Sequence, residues 1–157
     1  MIKSPNSWSC MAASFSMALG MPFALFIELI GHDGGELIGD FHKGFHLQEC
    51  IDVCFKMGFS CTEIQAVYGA KPSITNDLVY QVKSTEVCEM RFDQYLADTS
   101  RGVITGFCNK NNTQVGHAVA WIDQQIFDPK GRVYTLQQCD VFNFSPQSLM
   151  IISKMGL

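Results

Sequence analysis

The sequence is short of the features that mark several large classes of protein. Charged residues make up only 17% of the 157 positions, with 11 Lys and Arg against 15 Asp and Glu. The cations form no run or stripe, and phosphate neutralisation needs clustered Lys and Arg, so no nucleic-acid partner is expected. No stretch approaches the roughly 20 apolar residues that cross a bilayer. The most apolar run, Met21 to Ile30, is interrupted by Pro22 and Glu28, so no membrane partner is expected either. Before Cys10 there is one Lys, then Pro5, and no apolar segment. No signal peptide is predicted, and the product is expected to stay in a reducing cytoplasm. There is no Cys-x-x-Cys pair. The seven cysteines, Cys10, Cys50, Cys54, Cys61, Cys88, Cys108 and Cys139, are odd in number and irregular in spacing, which does not suit a disulfide framework. Internal repeats, low-complexity segments and linkers are also lacking, so a single domain over residues 1–157 is expected.

What is present is apolar. Hydrophobic residues make up 47% of the chain, enough to bury a core without staples. The 12 Phe are scattered and read as core. Ser7 or Ser9 can cap a helix that opens near Cys10 and stops at Gly20. Pro22 suits the first turn of a second helix that ends at Gly31, and His32-Asp33-Gly34-Gly35 reads as a loop. Leu47, Cys50, Ile51, Cys54 and Met57 follow the three-and-four spacing of an amphipathic helix that stops at Gly58. Phe59 to Val67 reads as a strand, Gly69 to Thr75 as a loop, Asp77 to Val87 as ambiguous and Phe92 to Ala97 as a short helix. The last third is strand-like: Gly102 to Cys108, His117 to Ile122, Gln125 to Phe127, Arg132 to Leu136 and Leu149 to Ser153. Turns are expected at Asn109 to Asn112 and at Pro129 to Gly131. Helices first and antiparallel strands later predict an α+β fold.

Chemistry is suggested where these elements meet. Cys10 stands at a helix start, where backbone N–H groups and the positive end of the dipole favour a thiolate. Apart from Trp8 its neighbours are small, so the sulfur stays approachable. Taken alone, Cys10 reads more readily as one more core cysteine. His117 opens an apolar strand, and Asp128 ends the next. With the turn centred between Ile122 and Asp123, His117 lies directly opposite Asp128. With it centred one residue later, Asp128 lies opposite Val119 and diagonal to His117. Either register keeps both side chains on one face and within reach of each other. A base needs that arrangement, with one ring nitrogen toward the nucleophile and the other held by a carboxylate. Cys50 and Cys54 share a helix face and with Cys61 and a His have the makings of a metal site, but reduced Cys is also a common core residue; no metal site is expected.

The order of these pieces resembles the papain-like superfamily, and within it the C39-like cysteine peptidases. The matching parts are the helix-opening Cys10 and the Met21–Ile30 segment followed by Gly31-His32-Asp33-Gly34. The helix that ends in Gly58-Phe59, Gly116-His117 on a strand, and Phe127-Asp128-Pro129 on the next complete the match. The chain is more similar still to a group of uncharacterised bacteriophage-encoded proteins that share Ser4-Pro5, Trp8-Ser9-Cys10, Ile30-Gly31-His32-Asp33-Gly34 and Gly44-Phe45-His46. The resemblance implies a papain-like fold, with a Cys helix packed on a C-terminal antiparallel sheet. It also implies a thiol hydrolase of peptide, amide or isopeptide bonds, with Cys10 as nucleophile, His117 as base and Asp128 orienting the base. A peptide or protein substrate is then expected, and no cofactor is required. Host-cell cytoplasm is the expected location if the chain is phage-encoded.

One departure bears on this. Papain-like enzymes place a Gln about six residues before the nucleophile as oxyanion donor. Ser4 occupies that position here, and Asn6 is expected to take over the role together with the Cys10 N–H. Met11 stands where many C39-like members have Gly. Trp8, His32, Asp33, His46 and Gln48 are expected as candidates for the cleft wall, although Asp33 is equally suited to closing a turn and His46 to capping a helix. Two other uses of the same residues remain open. One is acyl transfer of the transglutaminase type, and the other is a non-catalytic, protease-like binding module such as a phage inhibitor of a host protein.

Overall fold

A computed structural model describes residues 1–65, 95–110 and 113–156. Helix α1 (Cys10–Leu19) is followed by α2 (Phe23–Ile30), a small hairpin of β1 (Leu37–Ile38) and β2 (Phe41–His42), and α3 (Leu47–Lys56). Six further strands come next: β3 (Phe59–Gln65), β4 (Arg101–Lys110), β5 (Thr113–Ile122), β6 (Gln125–Asp128), β7 (Arg132–Tyr134) and β8 (Phe144–Lys154). The six form one antiparallel sheet in the order β3-β8-β4-β5-β6-β7. Helices precede an antiparallel sheet, so the α+β expectation holds.

Helix α1 is the centre of the packing. Ala12, Ala13, Phe15 and Ala18 are fully buried. Their small size lets α1 lie against β4 and β5 on one side while it meets α2 and α3 on the other. Gly20 ends the helix at φ 68°, donating its N–H back to the last turn. The Arg101 guanidinium from β4 adds a hydrogen bond of 3.0 Å to the Ala18 carbonyl, a cation at the negative end of the dipole. The chain then turns sharply, with α1 and α2 at 113° to each other. No single described helix is long and apolar enough to cross a membrane.

Both faces of the central strands are covered. Val103, Ala118 and Met150 face the helices, among Phe15, Phe26 and Val53. Their chain neighbours Ile104, Val119 and Leu149 face the opposite way, into a second cluster with Trp121, Ile126, Tyr134 and Phe144. Two-sided burial explains why these strands read as apolar runs rather than alternations.

The sheet departs from sequence expectation in extent. Asn109 and Lys110, expected in a turn, continue β4 and pair with Gln114 and Thr113; the long ladder overrides the local turn preference of Asn. Strand β5 therefore starts at Thr113, four residues before His117, and this extension is exposed and correspondingly polar. Strand β8 starts at Phe144 rather than Leu149. Its Pro146 is accommodated at a bulge, because Ser148 pairs with Thr105 while Pro146 pairs with Gly106. A Cβ at Gly106 would collide there with the Ser145 carbonyl. Strand β7 ends at Tyr134, and a 3₁₀ turn covers Leu136–Gln138. The β1–β2 hairpin was not anticipated. Residues 95–98 are helical, overlapping the end of the short helix expected over Phe92 to Ala97. The readings of 66–94 and the tip 111–112 lie outside the described residues.

Candidate active site

The β5–β6 turn sets the site. Asp123 and Gln124 both have positive φ, 48° and 71°, the two-residue pattern whose twist suits a hairpin. The Gln124 side-chain amide holds the turn by donating to the carbonyls of Leu96 and Ala97. Ile122 pairs with Gln125, Trp121 with Ile126 and Ala120 with Phe127. This is the second of the two registers considered, with Asp128 diagonal to His117. The His117 Nε2 lies 2.9 Å from Asp128 Oδ1, and both residues are buried.

Asp128 is fully buried and meets four donors. Oδ1 takes His117 Nε2 and the Lys130 N–H at 2.9 Å. Oδ2 takes Arg132 Nη2 at 3.0 Å and the Tyr134 hydroxyl at 3.2 Å. Burial pushes the carboxyl toward neutrality. The His117 hydrogen bond, the Lys130 N–H, the His117 charge and Arg132 outweigh that push and hold it ionised, with a pKa of about 2. The Tyr134 phenol is pushed well above its ordinary value by burial and the adjacent carboxylate, so it stays a donor. Arg132 in turn lies over the Phe142 ring, 4.6 Å from its centroid, and Phe142 stacks on Tyr134. Sequence reasoning missed Arg132 and Tyr134. The signal was the tight Pro129–Gly131 turn, which puts Arg132 opposite Asp128 and, with a period of two, Tyr134 on the same face.

Cys10 opens α1 beneath this pair. Ser9 occupies the N-cap position, but its side chain makes no capping bond, contrary to the expected role. The Met11 N–H and the Ala118 N–H from β5 both favour the ionised Cys10 sulfur. His117 stands beside the thiol, and the two residues line the same cleft. Because Asp128 engages Nε2, Nδ1 is the ring nitrogen left for the sulfur. Burial raises the Cys10 pKa, but the hydrogen bond and charge of His117 and the two N–H groups more than reverse this, so the thiol lies below its ordinary range. His117 responds in kind. Burial lowers its pKa, Asp128 and Cys10 raise it, and the net direction is up. The other described cysteines respond differently. Burial dominates at Cys50, Cys108 and Cys139, and all three go up, Cys139 to about 12. Cys54 goes up because it donates to Cys61, which goes down through the same bond. No imidazole joins those two thiols, and no group of three or more His, Cys, Asp or Glu suited to a metal occurs among the described residues.

Cys10 and His117 open onto a cleft of about 560 Å³. Of the expected wall residues, Trp8 lines it. Its indole N–H donates to the Asp33 carbonyl at 3.0 Å, and its ring stacks on His42 at 3.7 Å. His42 and Phe41, on the unforeseen hairpin, line it as well. Gly34-Gly35 before the hairpin and Gly39 in its turn were the available signal. A second cavity of about 170 Å³ reaches the same sulfur from the N-terminal segment and holds Asn6. The Asn6 amide oxygen accepts the Trp8 N–H at 3.2 Å, which leaves its NH₂ directed elsewhere.

The other expected wall residues do not line the cleft. His32 Nε2 bonds to Glu49 Oε1 at 2.7 Å, and its Nδ1 accepts the Gly34 N–H. It braces the loop to α3, stacked on Phe45. The Asp33 carboxylate accepts the Gly35 N–H and closes a turn. His46 precedes α3, and its N–H donates to Glu49 Oε2. Gln48 is exposed and bonds to Asp52 one turn on. All four are satisfied by neighbours within the α2–α3 region, which is why none turns toward Cys10.

No family model and no curated protein matches the sequence. Among solved structures the chain is similar to a double glycine motif protease from an AMS/PCAT transporter, determined in complex with the leader peptide. The likeness covers 98% of this chain and 90% of that one, at 14% identity and a TM-score of 0.54. It is a likeness of fold, and that fold is the C39 peptidase-like one.

Proposed function

We propose that the protein is a cysteine-dependent hydrolase of peptide, amide or isopeptide bonds. What carries this reading is the His117 ring, held at Nε2 by a buried, ionised Asp128 and lining one cleft with the Cys10 thiol at a helix start. Cys10 attacks the carbonyl as a thiolate. The Cys10 N–H and the Asn6 NH₂ receive the developing oxyanion. His117 protonates the leaving amine, and water, activated by the same ring, releases the acyl group. The chemistry requires no metal or cofactor. A peptide substrate is in keeping with the leader peptide bound by the similar solved protease. All six described cysteines are free thiols, which supports a reducing cytoplasm as the location, that of a host cell if the bacteriophage resemblance holds. The two core layers share one sheet, which supports a single domain.

The pH dependence of Cys10 alkylation by iodoacetamide tests this reading, with the label located by mass spectrometry in wild type and His117→Ala. Labelling that stays fast well below pH 8, and is lost in the variant, is expected. An ordinary thiol profile in both proteins refutes it and favours the binding module, a reading that Ser4 in place of the oxyanion Gln already motivates. Transfer rather than hydrolysis would appear as an amide adduct when a primary amine is present.

A further inference from the structure

The smaller cavity at Cys10 has a chemistry of its own. It lies between the N-terminal segment, β4–β5 and the Pro129-Lys130 turn, and none of its lining residues is acidic. Lys130 supplies a cation. Its ammonium lies 3.7 Å from the Cys108 sulfur on the cavity wall, and it makes no salt bridge to a carboxylate of the described residues. Its backbone N–H, not its side chain, serves Asp128. Asn6 and Ser7 add neutral hydrogen-bonding groups. The larger cleft differs, since Asp40 and Lys43 both line it and its charges offset. A cavity of about 170 Å³ is roughly 7 Å across, the reach of about two extended residues.

We propose that this cavity is an anion subsite, in which Lys130, with Asn6 beside it, receives a carboxylate carried by the substrate one or two residues from the carbonyl that Cys10 attacks. The inference rests on the hydrolase reading and narrows its substrate class. The bond cleaved lies next to an acidic side chain or close to a free C-terminus.

Two alkylating reagents test it without any known substrate. Iodoacetate and iodoacetamide react alike, the thiolate sulfur displacing iodide to form a thioether, but only iodoacetate carries a carboxylate. The second-order rates at Cys10 are measured with each, at neutral pH and low ionic strength, in wild type, Lys130→Gln and Lys130→Glu. Taking the ratio of the two rates cancels any general change in thiolate content. The iodoacetate-to-iodoacetamide ratio is expected to fall about tenfold in Lys130→Gln and further in Lys130→Glu, and about 0.5 M salt should shrink the difference. Fast labelling with a ratio independent of residue 130 overturns the subsite alone. Slow, ordinary labelling by both reagents overturns the hydrolase reading and the subsite with it. For a wild type that labels fast, a mixture of defined peptides, with free or amidated C-termini, identifies the source of the carboxylate. Cleavage that follows Asp or Glu assigns a side chain, cleavage lost on amidation assigns the terminus, and cleavage indifferent to both overturns the proposal.

Discussion

The two sides of the site are built on opposite plans. On the His117 side, Asp128 is sealed from solvent and held by four donors from β5, the β6–β7 turn and β7. On the nucleophile side, Asn6, Ser7 and Trp8 form an irregular segment that is half-buried or exposed and tied mostly by local bonds. The bonds of the N-terminal segment to distant parts of the described chain run from the Ile2 N–H to the Met17 sulfur, from the Ser4 N–H to the Pro129 carbonyl and from the Trp8 indole to the Asp33 carbonyl. His117 is oriented by elements that also hold the sheet together, so orientation and stability are one property there. The segment that carries the proposed oxyanion donor Asn6 takes little part in holding the sheet.

The comparison breaks most visibly at Asp128. Asp128→Ala leaves Arg132, Tyr134 and the Lys130 N–H without their buried acceptor. A loss of about 3–5 kcal/mol is expected in urea unfolding. Asn6→Ala sits across the divide. Cleavage of a substrate peptide, once one is identified, should slow by about 10²–10³ through loss of an oxyanion donor. The unfolding midpoint should move little. An equally large stability loss in Asn6→Ala would erase the distinction between the two sides.

Acid gives a smaller effect with a definite sign. The folded pKa of Asp128, about 2, lies below the ordinary value of 3.8. Its contribution is therefore present above pH 4 and is lost as pH falls from there through 2, amounting to about 2 kcal/mol. His117 acts in the opposite direction. Its folded pKa is raised, so its contribution is complete below its unfolded pKa and fades as pH rises through the folded one. Denaturant midpoints across pH 2 to 9 should form a plateau bounded on the acid side by Asp128, and Asp128→Asn should remove that acid limb. Tyr134→Phe is expected to cost about 1 kcal/mol and to leave the alkylation profile of Cys10 close to wild type, because three donors still hold the carboxylate. At the bottom of the scale, Gln48→Ala should shift the unfolding midpoint by less than about 0.5 kcal/mol.

How far the sequence foretold this arrangement depended on the kind of interaction. The three helices were legible because their apolar spacing and the stops at Gly20, Gly31 and Gly58 agree. The His117–Asp128 contact was legible because a strand has a period of two, so both plausible registers put the two residues on one face. His32 and Asp33 were misleading for a physical reason. A Gly-flanked His-Asp pair looks alike whether it faces a ligand or braces its own loop, and here Glu49 and Gly35 take up both side chains. The β1–β2 hairpin escaped notice because all four of its residues are exposed, so no buried-exposed alternation marks it. The second layer behind Asp128 was hidden because Arg132 and Tyr134 read as ordinary strand residues until the tight turn before them is given its geometry.

The strand order has a consequence for how the protein is made. Strand β8 lies between β3 and β4 but follows every other strand in the chain. About 80 residues separate the end of β3 from the start of β8. At roughly 5–20 residues per second, β3 then waits several seconds on the ribosome for its neighbour. Throughout that interval its backbone edge and the Cys61 thiol have no β8 to cover them. Synthesis, rather than the finished structure, is when this chain is most exposed to wrong pairing.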